Sequence, residues 1–336
     1  MKFRVPTIKD QAQFDTNASH PLQSWAWGEF RQTTGVIVER LFNSNTSLQI
    51  TFHPLPKTPF TIGYLPKSTI PNQEILSALR QLGRKHNAIF IKLEPNVSAP
   101  ESDKKDSLIT LRKFLLKNGC LLGRPMFTNF SFQLDLTKTE DILFQNLKSK
   151  TRYNVRLAQK NGVTVSIDNS DQAFNDYLKL WKETTKRQNF YSHNKAYHRS
   201  MWKILRKAKI AHLLKADYQN DTLASWILFT FNNILYYPYG TSSTKHRELM
   251  ASNLIMWEAI RFGIGQNCTQ FDMWGSLGPK PDKSDPWYGF HRFKQGYGGD
   301  LVEFVGSYDL VLKPILYPFF RTAESIRWWL LRNKNR

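Results

Sequence analysis

The chain has 336 residues, 41% of them hydrophobic, which suits two packed cores better than one. Lys and Arg number 47 against 27 Asp and Glu, and the net charge of +20 points to a polyanionic partner: nucleic acid, anionic lipid or a phosphorylated sugar. Two cysteines, Cys120 and Cys268, are too few for a disulfide framework and have no Cys or His at metal-ligand spacing, so no metal is expected.

The opening M-K-F-R-V-P lacks the apolar core of a signal peptide, and no later run approaches the roughly 20 apolar residues of a membrane span. The expectation is a cytoplasmic protein, at most peripheral at the inner face of the membrane. Q-S-W-A-W-G-E-F-R-Q-T-T-G reads as a helix closed by Gly35, followed by a strand over 36–42. Strands are expected at 48–52 and 60–65, a helix over 74–85 and a strand over 88–93. The polar stretch 98–106 reads as a loop, 107–117 as a helix ended by Asn118 and Gly119, and 129–134 as the strand that closes the first half.

The second half repeats that order. It predicts a helix over 141–161, a strand over 163–167, helices across 171–207, and strands at 211–216, 222–231 and 234–239. A helix over 252–266 and a strand over 270–274 follow, then a loop from 275 to 300, a strand over 301–308 and, after Pro314, a basic aromatic helix. Helices alternating with strands place the chain in the mixed α/β class and suggest duplication of one unit.

Lys148, Arg152, Arg156 and Lys160 recur every fourth residue in L-K-S-K-T-R-Y-N-V-R-L-A-Q-K-N-G, a cationic ridge without acidic partners in its own stretch. It reads either as a polyanion-binding surface or as a solvated helix face. In F-H-R-F-K-Q-G-Y-G-G, Arg292 and Lys294 stand beside Phe293 and Tyr297, with three glycines close by. Glycines let main-chain N–H groups approach a phosphate and a lysine suits a developing oxyanion, although a turn with surface lysines gives the same text. Y-Y-P-Y-G-T-S-S carries hydroxyls that would orient a sugar or peptide, or tyrosines that simply pack at a strand end. No Walker loop, Rossmann fingerprint, G-x-S-x-G elbow or H-E-x-x-H is present.

Taken together, Q-S-W-A-W-G-E-F, R-Y-N-V-R-L-A-Q-K-N-G-V, Y-Y-P-Y-G-T-S-S, W-E-A-I, F-D-M-W-G and R-F-K-Q-G-Y-G-G resemble the Fem family of peptidoglycan interpeptide-bridge aminoacyltransferases, in the family's order from about residue 20 to 312. The resemblance implies two acetyltransferase-like (GNAT-type) mixed α/β domains, 1–137 plus 311–336 and 138–310, without a coiled-coil arm. It implies transfer of an amino acid from aminoacyl-tRNA, a co-substrate rather than a cofactor, to an amine of the stem peptide on lipid II or its UDP-linked precursor.

By position in the family's motifs, Phe293 and Lys294 are expected at the 3′ end of the tRNA. The ridge residues and Arg292 are expected along the tRNA, and Arg31, Tyr64, Arg187, Tyr191 and Tyr239 around the acceptor. Arg31 stands where a lysine is typical. Glu94 and Asp272 are candidates to receive the amine proton, and either reads equally as a structural carboxylate. The last helix, with Arg327, Trp328, Trp329 and Arg332, either touches a membrane surface or packs on the first domain. The rival readings are an acyl-CoA-dependent N-acyltransferase, whose Q/R-x-x-G-x-G/A signature is missing, a non-catalytic RNA-binding protein, and a relative with another acceptor.

Overall fold

In the computed structural model, which describes residues 3–100, 106–188 and 193–334, the short helices α1 (Gln11–Asn17) and α2 (Trp25–Gln32) precede an antiparallel meander. Its strands are β1 (Ile37–Phe42), β2 (Ser47–Pro54) and β3 (Thr61–Pro66). Helix α3 (Gln73–Lys85) then carries the chain across to β4 (Ala88–Glu94), which lies parallel to β3. The start of α3 is set by Asn72, whose Oδ1 accepts the Ile75 N–H at 2.8 Å, and its buried Ile75, Leu76, Leu79 and Gly83 recur at helical spacing. Every residue of β4 is buried, the mark of a strand covered on both faces.

After β5 (Ser98–Pro100), α4 (Asp106–Lys117), β6 (Cys120–Leu122) and β7 (Phe130–Asp135) come α5 (Glu140–Asn146), α6 (Ser149–Lys160), β8 (Thr164–Ile167), α7 (Asp171–Gln188) and α8 (Lys195–Lys207). The meander–helix–parallel strand plan then recurs. β9 (Ala211–Tyr218), β10 (Asp221–Phe231) and β11 (Ile234–Ser242) are antiparallel, α9 (Ala251–Gly265) crosses over, and β12 (Gln270–Asp272) pairs parallel to β11. Helix α9 is apolar nearly all round because it is buried nearly all round, from Leu254 and Ile255 to Trp257 and Phe262. The chain ends with α10 (Tyr288–Gln295), β13 (Asp300–Phe304), β14 (Tyr308–Val311) and α11 (Leu316–Lys334).

The chain divides into two compact units: Met1–Ala99, Asp103–Phe127 and Phe304–Arg336 form one, and Pro100–Ser102 with Thr128–Glu303 the other. The first sheet has the order β1-β2-β3-β4-β14-β6, and within the second unit the order is β13-β7-β12-β11-β10-β9-β8. Each unit therefore places one antiparallel strand from a distant part of the chain beside its parallel strand: β14 beside β4, and β7 beside β12.

Several sequence expectations change. The strand near 130 opens the second sheet rather than closing the first half, so the units divide at 127/128 and 303/304, ahead of the expected 137/138 and 310/311. The helix expected over 141–161 is two, because Leu147 is buried in extended conformation and the Lys148 N–H donates to the Gly296 carbonyl at 2.9 Å. The strand expected over 301–308 is also two, in different sheets, joined through Gly306 at φ +102°. The loop over 275–300 contains α10, an eight-residue helix whose buried His291 and Lys294 sit three apart on one face. Helix α1 and the short strands β5 and β6 were not anticipated.

Candidate active site

The second unit holds a cavity of about 690 Å³. Trp226 of β10 and Tyr237 and Tyr239 of β11 line it from the sheet, Tyr177 and Trp181 from α7, and Phe293 and Lys294 from α10. Strand alternation sets its floor: Trp226 and Tyr237 stack with ring centroids 4.1 Å apart.

Among the described residues Lys294 is the one lysine in the cavity lining, 6% exposed, and its Nζ donates to the carbonyls of Trp274 and Gly275, both at 2.7 Å. Burial lowers its pKa to about 7, against the opposing pull of Asp272. An ammonium has three donors, and two go to these carbonyls, so one remains for a ligand.

The turn that supplies the carbonyls is itself held. Trp274 adopts the left-handed region at φ +59°, which costs a bulky residue of order 1 kcal/mol. Its N–H donates to Asp272 Oδ1 at 2.8 Å. Asp272 also accepts from Ser131 Oγ at 2.5 Å and from Gln133 Nε2 at 3.1 Å. That carboxylate ties the turn to Ser131 and Gln133 of β7. On the other side of the turn Ser276 Oγ and His291 Nδ1 lie 3.0 Å apart, tying it to α10.

A FemAB family model matches residues 7–214 and 204–325 of the chain. The chain belongs to the FemAB family. A lipid II:glycine glycyltransferase of Staphylococcus epidermidis is 24% identical to this FemAB chain, with 94% of each covered. The crystal structure of FemX superposes with a TM-score of 0.83 at 20% identity, covering 95% of this chain and 99% of that one. A tandem GNAT protein from the clavulanic acid pathway aligns at a TM-score of 0.50 and 12% identity over 83% of this chain and 84% of its own, so the fold is GNAT-like.

In this FemAB chain Phe293 is half-buried at the cavity, edge-on to Trp226 at 6.3 Å and to Tyr297 at 5.4 Å. Tyr239 lines the same space, its ring 5.2 Å from that of His198. Arg187, near the end of α7, donates to the carbonyl and the Oγ of Ser242, each at 3.0 Å, and Ser242 belongs to the lining. Lys294, Phe293, Tyr239 and Arg187 are thus gathered at one place, and Tyr191 lies outside the described residues.

The cationic ridge is only partly free. Arg152 donates to the carbonyls of Gln145 and Leu147, serving as a cap for α5. The Arg156 guanidinium lies 5.2 Å from the centre of the Phe144 ring, and Lys148 Nζ donates to Gln295 Oε1 at 2.8 Å. Lys160 and Arg292 are exposed. The glycines after α10 also have a packing role. At Gly298, with φ +76°, and at Gly299 a Cβ would come within 3.0 Å of the Asn146 carbonyl oxygen and 2.9 Å of that of Gln133, so they permit close backbone approach.

Arg31 and Tyr64 belong to the first unit. Arg31, on α2, is partly buried, and its Nε has no hydrogen-bond partner among the described residues; burial together with its charge lowers the His53 pKa to about 4. Tyr64 OH donates to Glu94 Oε2 at 2.5 Å, and Glu94 Oε1 accepts the Met126 N–H at 2.6 Å. Glu94, like Asp272, is thus hydrogen-bonded to neighbouring protein groups. Sequence reasoning met Trp274 only within F-D-M-W-G, without a role, and did not single out Trp226, Trp181 and Tyr177. The only signal of these three was aromatic content, which a packed core shows equally.

Proposed function

We propose that this FemAB protein transfers an amino acid from the 3′ ester of an aminoacyl-tRNA to an amine on the stem peptide of lipid II, forming part of an interpeptide bridge. The observation that carries the reading is Lys294, a lysine buried in the cavity with one N–H uncommitted. In this reaction the acceptor nitrogen attacks the ester carbonyl, a C–N bond forms, the C–O bond to the ribose breaks, and the amine proton ends on the ribose oxygen. The intermediate carries an oxyanion. The free N–H of Lys294 is suited to stabilise it, in a site where loss of one such donor lowers the rate by about 10²–10³.

Phe293 offers a face for stacking of the terminal adenine, beside the lysine that meets the ester. Arg187 is suited to the acceptor's phosphates and Tyr239, with Tyr191, to its peptide. On the first unit Arg31, whose Nε lacks a partner among the described residues, is a further cation suited to a phosphate, while Tyr64, its O–H given to Glu94, belongs to the wall of that unit. Of the ridge, Lys148, Arg156 and Lys160, with Arg292 on α10, are the exposed cations suited to tRNA phosphates. Arg152 spends its guanidinium on the end of α5. The net charge of +20 suits two anionic substrates. Glycyltransferase activity on lipid II in the staphylococcal relative supports the acceptor.

The test is transfer of radiolabelled amino acid from a charged total tRNA pool to lipid II and to its nucleotide-linked precursor, with wild type and Lys294→Ala. Transfer that falls at least a hundredfold in the variant is expected. No transfer to either acceptor, with charged and uncharged tRNA bound alike, would leave an RNA-binding protein instead.

A further inference from the structure

Helix α11 has two faces of different character. One packs on the first unit. Tyr317 and Phe320 meet the Phe90 ring at centroid distances of 5.4 and 5.3 Å, and Tyr317 OH donates to the buried Asp309 at 2.9 Å. Arg321 lies 3.6 Å from Asp309 and from Glu324, and Trp328 lies under the Arg124 guanidinium at 4.0 Å. These residues recur at the three- and four-residue spacing of one helix face.

The opposite face is apolar and bare. Phe319 is 73% exposed, Trp329 64%, and Ile326 and Leu330 55% each. At ~100° per residue these four fall within an arc of about 100°, centred roughly opposite the packed face. Ile315, 81% exposed, continues the stripe at the spacing of one turn before Phe319. Isolated exposed apolar residues are ordinary, but five on one stripe that includes a tryptophan and a phenylalanine are not.

Charge decides what covers the stripe. From Ile315 to the end the chain carries Arg321, Arg327, Arg332, Lys334 and Arg336 against the single acid Glu324. Glu324 is spent on Arg321 at the packed side, while Arg327 is exposed and flanks the apolar arc. A second copy would bring a second set of these cations to the contact and repel, whereas an anionic bilayer surface attracts them. No helix among the described residues is long and apolar enough to cross a membrane, so α11 fits lying along one.

We infer that the outer face of α11 docks this protein on an anionic lipid surface, with Phe319, Ile326, Trp329 and Leu330 entering the headgroup boundary and Arg327 meeting lipid phosphates. The inference takes its purpose from the lipid-linked acceptor under Proposed function, but its geometry stands without it. The arrangement joins the two alternatives for this helix: it packs with one face and binds lipid with the other.

The test is co-sedimentation of the full chain with vesicles of phosphatidylglycerol and phosphatidylcholine, and with phosphatidylcholine alone. Wild type is expected to bind the anionic vesicles at least tenfold more strongly than the neutral ones. Phe319→Ser/Trp329→Ser alters only exposed positions and should keep the circular dichroism spectrum while binding at least tenfold more weakly; Arg327→Glu should weaken binding and flatten its salt dependence. Wild-type binding retained by the double variant would overturn the inference, as would a wild-type dimer in sedimentation equilibrium that the double variant dissolves.

Transfer assays separate the two proposals. The double variant should lose transfer to lipid II embedded in vesicles and keep transfer to the water-soluble nucleotide-linked precursor. A wild type that binds vesicles yet transfers to neither acceptor would refute the aminoacyl transfer and leave the docking surface standing.

Discussion

Replacing Lys294 by Met keeps an unbranched side chain, one atom shorter, and removes its charge, which isolates the cost of burying an ammonium in the cavity. In the folded chain its pKa is lowered from 10.5 to about 7. Between these values the unfolded chain keeps a proton that the folded chain has released, so wild-type stability rises with pH across that window. Below pH 7 both states are protonated and the cost is fully present; above 10.5 both are neutral and it is relieved. At about 1.4 kcal/mol per pH unit, wild type should gain about 3 kcal/mol from pH 7 to pH 9.5, allowing for the half-titrated start. Lys294→Met lacks this gain. Urea unfolding of both proteins, followed by circular dichroism from pH 6 to 9.5, should show the wild-type advantage climbing by that amount. Two curves that stay parallel would refute the depressed pKa, and with it the picture of a desolvated lysine waiting for a charged intermediate.

Asp272→Asn removes a carboxylate that raises the Lys294 pKa and accepts from Ser131, Gln133 and the Trp274 N–H. Carbon-13 spectra of the lysine ε-methylene should show Lys294 titrating below about 7, and urea unfolding should show a loss of about 2 kcal/mol from the weakened acceptor. The ridge residues should separate by assay. Arg152→Ala should cost about 1 kcal/mol of stability through the two carbonyls it leaves behind, while Lys160→Ala leaves unfolding unchanged. In filter binding, Lys160→Ala should reduce the slope of log affinity for tRNA against log salt by roughly 0.7–0.9.

The elements most visible in the sequence were those with a clear apolar pattern. The strand-like run over 48–52, buried throughout in β2, and the helical spacing of Ile75, Leu76 and Leu79, whose face of α3 meets a core, were read within a residue or two of their bounds. Helix α10 was hidden because Gly289 and a flanking run of Pro, Gly and Asp weaken its local preference, and it is held instead by distant groups: Lys294 by two carbonyls, His291 by Ser276. The break between α5 and α6 is of the same kind, made by a hydrogen bond from Lys148 to Gly296. Family words put Phe293 and Lys294 at the tRNA's 3′ end and Tyr239 around the acceptor, without saying that all three line one cavity. They could not distinguish Arg152 from Lys160, since equal spacing along a helix carries no record of which carbonyl stands within reach.

The position of β14 has a consequence for how the chain is made. It lies between β4 and β6, and its Asp309 neutralises Lys92 of β4 at 2.7 Å. Both neighbouring strands leave the ribosome 186 residues or more before it does, counting from Leu122 to Tyr308. Throughout that interval the nascent first unit has two unfilled strand edges and a lysine without its counter-charge, whereas the strands of the second unit's sheet are complete once β13 emerges. The second unit can therefore complete its sheet before the first unit does, and the first unit closes only after β14 has emerged.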